Sequence, residues 1–197
     1  MTDAPPAAAA SPKIVMTSER IPSGDPGIEL YMREKHPAGM THFDASHTLL
    51  FVHGATYPAE TSFDLPLDGV SMMDWLAARG FDVWLVDIRG YGLSTRPPEM
   101  DQPPEANPPL VDTATASHDV GMAVEHILAK RHLQKLDLMG WSGAPRSWGS
   151  TPPSMTTRST GCALRAAMGA RSAAAGAVRH ARCVSAGDAR GDQGEMG

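Results

Sequence analysis

The sequence predicts an α/β fold over its front two thirds: a mostly parallel sheet with an antiparallel start. Three observations carry that expectation. Leu49-Leu50-Phe51-Val52 and Val83-Trp84-Leu85-Val86 are continuous apolar runs, the pattern of strands covered on both faces. Helical stripes alternate with these runs, which argues for helices packed on a sheet. Ile28-Glu29-Leu30-Tyr31-Met32-Arg33 instead alternates apolar and polar residues, as a half-exposed strand of an antiparallel pair does.

In chain order, residues 1 to 12 are an Ala/Pro lead with nothing to pack, and disorder is expected there. Order is expected from Lys13, with a first strand over Lys13 to Arg20 and a turn at Ser23-Gly24-Asp25-Pro26-Gly27 before the second strand. After the first buried run, Met73, Leu76 and Ala77 share a helix face and Gly80 can end that helix. After the second, Val120, Val124, Ile127 and Leu128 form another stripe, with Lys130 and Arg131 suitably charged for the last turn. A third, weaker apolar run, Leu136-Asp137-Leu138-Met139, follows. The prolines from Arg96 to Pro109 remove donors and fix φ, so that stretch is expected to be a surface loop, either bordering a cleft or simply solvated.

Composition excludes several classes. The 197 residues suit one domain. No window approaches the roughly 18 apolar residues of a membrane span, and the opening Met-Thr-Asp-Ala-Pro-Pro lacks the basic start of a signal peptide, so a cytoplasmic location and no membrane partner are expected. Both cysteines, Cys162 and Cys183, come late, so the front needs neither disulfide nor thiolate metal site. Residues 143 to 197 hold 7 Arg and 3 acids; that is +4, leaving -9 of the total -5 for the front. So acidic a front is a poor nucleic-acid binder. No metal and no cofactor are expected.

Gly140-Trp141-Ser142 falls at the end of a predicted strand, where a sharp strand-to-helix turn would lift the Ser142 hydroxyl out as a nucleophile. Taken alone the tripeptide is also an ordinary turn. Its company is more informative: His53-Gly54 directly follows the first buried strand, where the Ala55 amide can point at a developing oxyanion, and Asp87-Ile88-Arg89-Gly90-Tyr91-Gly92-Leu93-Ser94 directly follows the second. Strand plus His-Gly, strand plus Asp-x-Arg-Gly-x-Gly-x-Ser, and strand plus Gly-x-Ser, in that order, resemble the α/β-hydrolase family over roughly residues 13 to 142. The resemblance implies an α/β-hydrolase sheet, with Ser142 as nucleophile and the amides of Ala55 and Gly143 as oxyanion hole. His53 and Gly54 would shape the oxyanion loop. Asp87 and Arg89 resemble the family's structural pair behind the fourth strand, or a buried ion pair or turn anchor, and neither is a triad member.

Gly90-x-Gly92 after a strand also invites a dinucleotide reading, but Thr95 stands where the third glycine belongs and Pro97-Pro98 where a helix should start. His126 and His132, late in a helix, are expected to cap it or face solvent.

The family pattern stops after Ser142. Ala144 stands where a glycine should be, and Pro145 and Pro152-Pro153 oppose the helix that should begin there. From Gly143 onward only Leu164, Val178 and Val184 are branched apolar residues, so residues 143 to 197 are expected to form a disordered, non-family segment and the sheet to be incomplete. His180 and Asp188 come in the reverse of the family's acid-then-histidine order and are rejected as triad members. The genetic code offers an explanation. Gly143-Ala144-Pro145-Arg146-Ser147-Trp148-Gly149, read with one T restored before the Gly143 codon, permits Trp-Gly-Thr-Ser-Ile-Met-Gly, which returns the missing glycine. The expectation is therefore a serine hydrolase of an ester, amide or similar bond in a small-molecule substrate, frame-slipped after Ser142, truncated in its family pattern and inactive as written. The alternatives are a non-catalytic binding or scaffold protein on a degenerate hydrolase fold, and a non-functional truncated gene product. The last family strand loses its neighbour on this reading, so self-association through an unpaired sheet edge is also expected.

Overall fold

In the computed structural model, residues 12–140 and the strand 162–167 are described. They form one sheet in the order β1-β2-β4-β3-β5-β6: β1 Ile14–Pro22, β2 Glu29–Pro37, β3 Thr48–Val52, β4 Asp82–Val86, β5 Lys135–Gly140 and β6 Cys162–Ala167. The β1-β2 and β2-β4 ladders are antiparallel, whereas β4-β3 and β3-β5 are parallel. This is a mixed parallel and antiparallel α/β sheet with the expected antiparallel start.

Two apolar layers sandwich the strands. On one face Leu30, Met32, Leu50, Val52, Trp84, Val86, Leu136 and Leu138 pack against Val120, Ala123, Val124 and Ile127 of helix α3 (Thr113–Arg131). On the other, Tyr31, Phe51, Val83 and Leu85 meet Ala59 and Phe63 of helix α1 (Ala59–Phe63) and Met73 of helix α2 (Met72–Ala77). Double coverage explains why β3 and β4 read as unbroken apolar runs. With each buried side chain contributing about 1.5–3 kcal/mol, these layers dominate the stability.

The helix ends follow local chemistry. Ser71 and Asp74 form a reciprocal capping box that starts α2, and Gly80, at φ 90°, turns the chain back toward β4. Asp112 caps α3 through Thr115, and His132, at φ 55°, closes its C-terminus. His126 instead bonds Glu19 on β1. In the last turn of α3, Arg131 donates to Asp82 at 2.8 and 3.0 Å and to Glu34 at 2.8 Å, locking the helix onto the start of β4 and the second half of β2.

Three expectations need correction. β2 is buried on both faces rather than half exposed, because Arg33 and Lys35 reach Asp64, Lys35 also reaches Asp74, and Glu34 reaches Arg131. The proline-rich stretch carries two short 3-10 turns, Pro98–Asp101 and Pro104–Ala106; a proline opens each, where the missing N–H has no partner to lose. Finally, β5 has no unpaired outer edge. β6 runs antiparallel to it from Gly140↔Cys162 to Lys135↔Ala167. A proline-free stretch suffices for this, since an open edge needs only backbone donors and acceptors. Residues 1–11, 141–161 and 168–197 lie outside the described residues, as does most of the tail expected to be disordered.

Candidate active site

Parallel strands deliver their following loops to one edge of the sheet. Val52 is the register partner of both Val86 and Gly140, so the chain leaves β3, β4 and β5 at one place. From there it enters His53-Gly54-Ala55, Asp87 to Ser94, and the segment leading to Ser142. Ser142 and Gly143 themselves lie outside the described residues.

Asp87 organises this edge. Its buried carboxylate accepts from the Ala59 amide at 2.8 Å through Oδ1 and from the Leu93 amide at 3.0 Å through Oδ2, so one side chain starts α1 and closes the loop after β4. The Asp87 carbonyl accepts from the Ser94 hydroxyl, whose oxygen accepts from the Tyr31 amide at 2.7 Å. Ser94 is thereby committed to the backbone. Both glycines of the loop are demanded by geometry. Gly90 turns at φ 82°, and at Gly92 an added Cβ would lie 2.0 Å from Asp87 Oδ2.

The turn between those glycines throws Tyr91 across His53, with ring centroids 4.6 Å apart. The His53 ring is buried and both its nitrogens meet backbone. The Ile88 amide donates to Nε2 at 3.0 Å, so the neutral ring holds its proton on Nδ1 and donates it to the Gly54 carbonyl at 2.6 Å. Burial pushes the imidazole below its usual pKa, against the smaller upward pulls of the Gly54 carbonyl and Asp87. The Tyr91 hydroxyl donates to the Ala55 carbonyl at 2.8 Å. In a trans peptide the N–H points opposite to the carbonyl before it. The Ala55 amide, joined to the Gly54 carbonyl, therefore faces away from the His53 ring. Ala55 and Thr56 are exposed, and neither amide has a partner among the described residues.

Arg89 and Asp87 do not pair with each other. Arg89 grips Asp119 of α3 through Nε at 3.0 and 3.1 Å and through the guanidinium tip at 2.6 Å, and reaches Asp25 at 2.6 Å. Asp119 holds the guanidinium charged, raising its pKa despite the opposing effect of burial. Each residue is thus an anchor with its own partner.

Sequence reasoning missed Tyr91 and α1. An aromatic residue held between two obligatory glycines was a usable signal for the first. Pro58 before Ala59-Glu60, a proline at a helix start with an acid in the first turn, was one for the second. A cleft of about 310 Å³ beside Asp87 and Gly92 has Pro58, Leu65 and Leu93 on its walls. Among the described residues no group of three or more His, Cys, Asp or Glu could hold a metal ion, and no helix is long and apolar enough to cross a membrane.

No protein-family model and no curated protein sequence matches the chain. Several solved structures resemble it. A "predicted CIB-like hydrolase" from Thermoplasma acidophilum is 14% identical over 66% of this chain and 53% of its own, with a TM-score of 0.44. Brefeldin A esterase, a bacterial homologue of human hormone sensitive lipase, is 20% identical over 73% of this chain and 35% of its own, with a TM-score of 0.40. 2-Hydroxy-6-oxo-6-phenylhexa-2,4-dienoate hydrolase from Rhodococcus sp. strain RHA1 is 21% identical over 66% of this chain and 38% of its own, with a TM-score of 0.38. The chain spans about half the length of the first and little more than a third of the other two.

Proposed function

We propose that this chain is the nucleophile-bearing half of a serine hydrolase acting on an ester, amide or similar bond of a small molecule. The observation that carries the reading is the Ala55 amide, turned away from the His53 ring and without a partner among the described residues, at the sheet edge to which β5 brings the chain two residues before Ser142. In this mechanism the Ser142 Oγ attacks the carbonyl carbon and the C=O π electrons move onto oxygen. The amides of Ala55 and Gly143 donate to that oxyanion, its collapse expels the leaving group, which takes up a proton, and the acyl-enzyme that remains is hydrolysed by water. His53 takes no part as a base, since both its ring nitrogens are occupied by backbone.

A base must still take the Ser142 proton. Between Gly143 and Gly197 the one histidine is His180, and the acids Asp188, Asp192 and Glu195 all follow it, in the wrong order, while Ala144 and Pro145 oppose the turn and helix that present the serine. We therefore propose that the gene slipped frame after Ser142 and that the chain as written is inactive. A serine without its base and orienting acid keeps little of its catalysis. The same two residues favour a second reading, a non-catalytic binding protein on a degenerate hydrolase fold.

The test is to insert one base after codon 142, express both forms and compare hydrolysis of a p-nitrophenyl ester. A gap on the order of a thousandfold or more supports the serine hydrolase. An early stop in the new frame, or no late histidine, sinks the frame-slip account and leaves the binding protein.

A further inference from the structure

We propose that Tyr91 is a positioning residue for the oxyanion loop: its hydroxyl, with the His53 ring beneath it, fixes the two peptide planes that aim the Ala55 and Thr56 amides outward. The proposal rests on the hydrolase reading for its purpose and on geometry alone for its content. Two consecutive carbonyls are held from behind, Gly54 by His53 Nδ1 at 2.6 Å and Ala55 by Tyr91 Oη at 2.8 Å. The two holders brace each other, with ring centroids 4.6 Å apart at 52°. Each held carbonyl dictates the direction of the next amide, because the peptide is trans and planar. His53 thus sets the Ala55 N–H and Tyr91 the Thr56 N–H, while the shared Ala55 residue is gripped from both sides.

The requirement for such a grip is physical. Ala55 and Thr56 are exposed and belong to no strand or helix, so no ladder holds these peptide planes. A donor stabilises a developing charge only if it already points at that charge, because reorientation during the reaction would cancel the benefit. The loop after β4 is built to deliver the clamp. Gly90 at φ 82° and Gly92 at φ 49° allow the tight turn, and Asp87 Oδ2 holds the Leu93 amide just beyond it at 3.0 Å. The His53 ring is itself fixed to that loop through the Ile88 amide. One loop therefore carries both the Tyr91 hydroxyl and the donor that orients His53.

The test compares the full chain with Tyr91→Phe, which removes one oxygen and keeps the ring against His53. Backbone order parameters at Ala55 and Thr56 are expected to fall from about 0.85, typical of rigid backbone, to below about 0.6, while Ile127 in α3 stays rigid. A merely structural role would move Ile127 as well or move nothing, and either result overturns the proposal. In the unsubstituted chain a nuclear Overhauser contact between the Tyr91 ring and the Ala55 methyl is expected, and its absence overturns the proposal without any variant. The functional arm uses the frame-restored enzyme. There Tyr91→Phe should lower kcat for a p-nitrophenyl ester about tenfold with KM unchanged. An unchanged kcat would show that the Tyr91 grip on the Ala55 carbonyl does not help to hold the oxyanion loop in its working geometry and would overturn the positioning role. If the restored enzyme has no activity before substitution, the hydrolase reading fails, and the order parameters still decide whether Tyr91 holds the loop.

Discussion

The carboxylate of Asp87 occupies the space that a side chain at position 92 would need: a Cβ there would sit 2.0 Å from Oδ2 and 2.6 Å from Cγ. The glycine and the buried acid are a matched pair, because that oxygen must reach the Leu93 amide one residue on.

Gly92→Ala should therefore destabilise the fold by about 3 kcal/mol, combining overpacking with a left-handed φ that alanine adopts at a cost. Gly69→Ala is the control. It shares a positive φ of 84° but has nothing within 4 Å, so only the backbone cost of about 1 kcal/mol is expected. Urea unfolding of both variants checks the difference, and equal losses would show that Asp87 yields easily.

The Arg89–Asp119 pair should behave as a unit. Asp119 is fully buried, so Arg89→Met leaves a stranded carboxylate at a cost of about 3–5 kcal/mol, whereas Asp119→Ala costs less because the guanidinium keeps Asp25. The double variant should lose clearly less than the sum. A double-mutant cycle by denaturant unfolding reads this directly, and additive losses would contradict the pairing.

His53 gives stability a pH dependence. Burial lowers its pKa in the folded chain, so between that value and the unfolded value of about 6.5 the unfolded chain binds more protons. The contribution is fully present above pH about 6.5 and is lost as pH falls from there toward the folded value. The pH range just below about 6.5 lies above the ordinary carboxylate range. In it, His53→Gln should flatten the fall in stability while lowering its absolute level. Unfolding free energies at several pH values check the slope, and an unaltered slope would mean that another group titrates there.

Much of this architecture was legible in the sequence, and the limits have physical causes. The unbroken runs at Leu49–Val52 and Val83–Val86 announced strands covered on both faces. Local periodicity cannot report distant partners. The polar alternation in β2 suggested an exposed face because Asp64, Asp74 and Arg131, which neutralise Arg33, Lys35 and Glu34, come 31, 39 and 97 residues later. The Arg89–Asp119 grip spans 30 residues and was equally hidden. Helix α1 has five residues, too few for a stripe to show, and β6 pairs through backbone groups that any proline-free stretch provides. At the candidate site, His53, Gly54 and Ala55 were legible as a motif, whereas Tyr91 acts through a single hydroxyl whose partner lies 36 residues earlier.

The most direct test of the central claim is labelling with a fluorophosphonate probe, followed by peptide mapping of the modified residue. Phosphonylation requires an activated serine hydroxyl with an oxyanion hole in place. The account predicts that the frame-restored chain is labelled at Ser142, that Ser142→Ala abolishes the label, and that the chain as written is labelled at a rate on the order of a thousandfold lower or not at all. Labelling of the restored chain at a different serine, or none, would contradict the assignment of Ser142 as the nucleophile of a serine hydrolase.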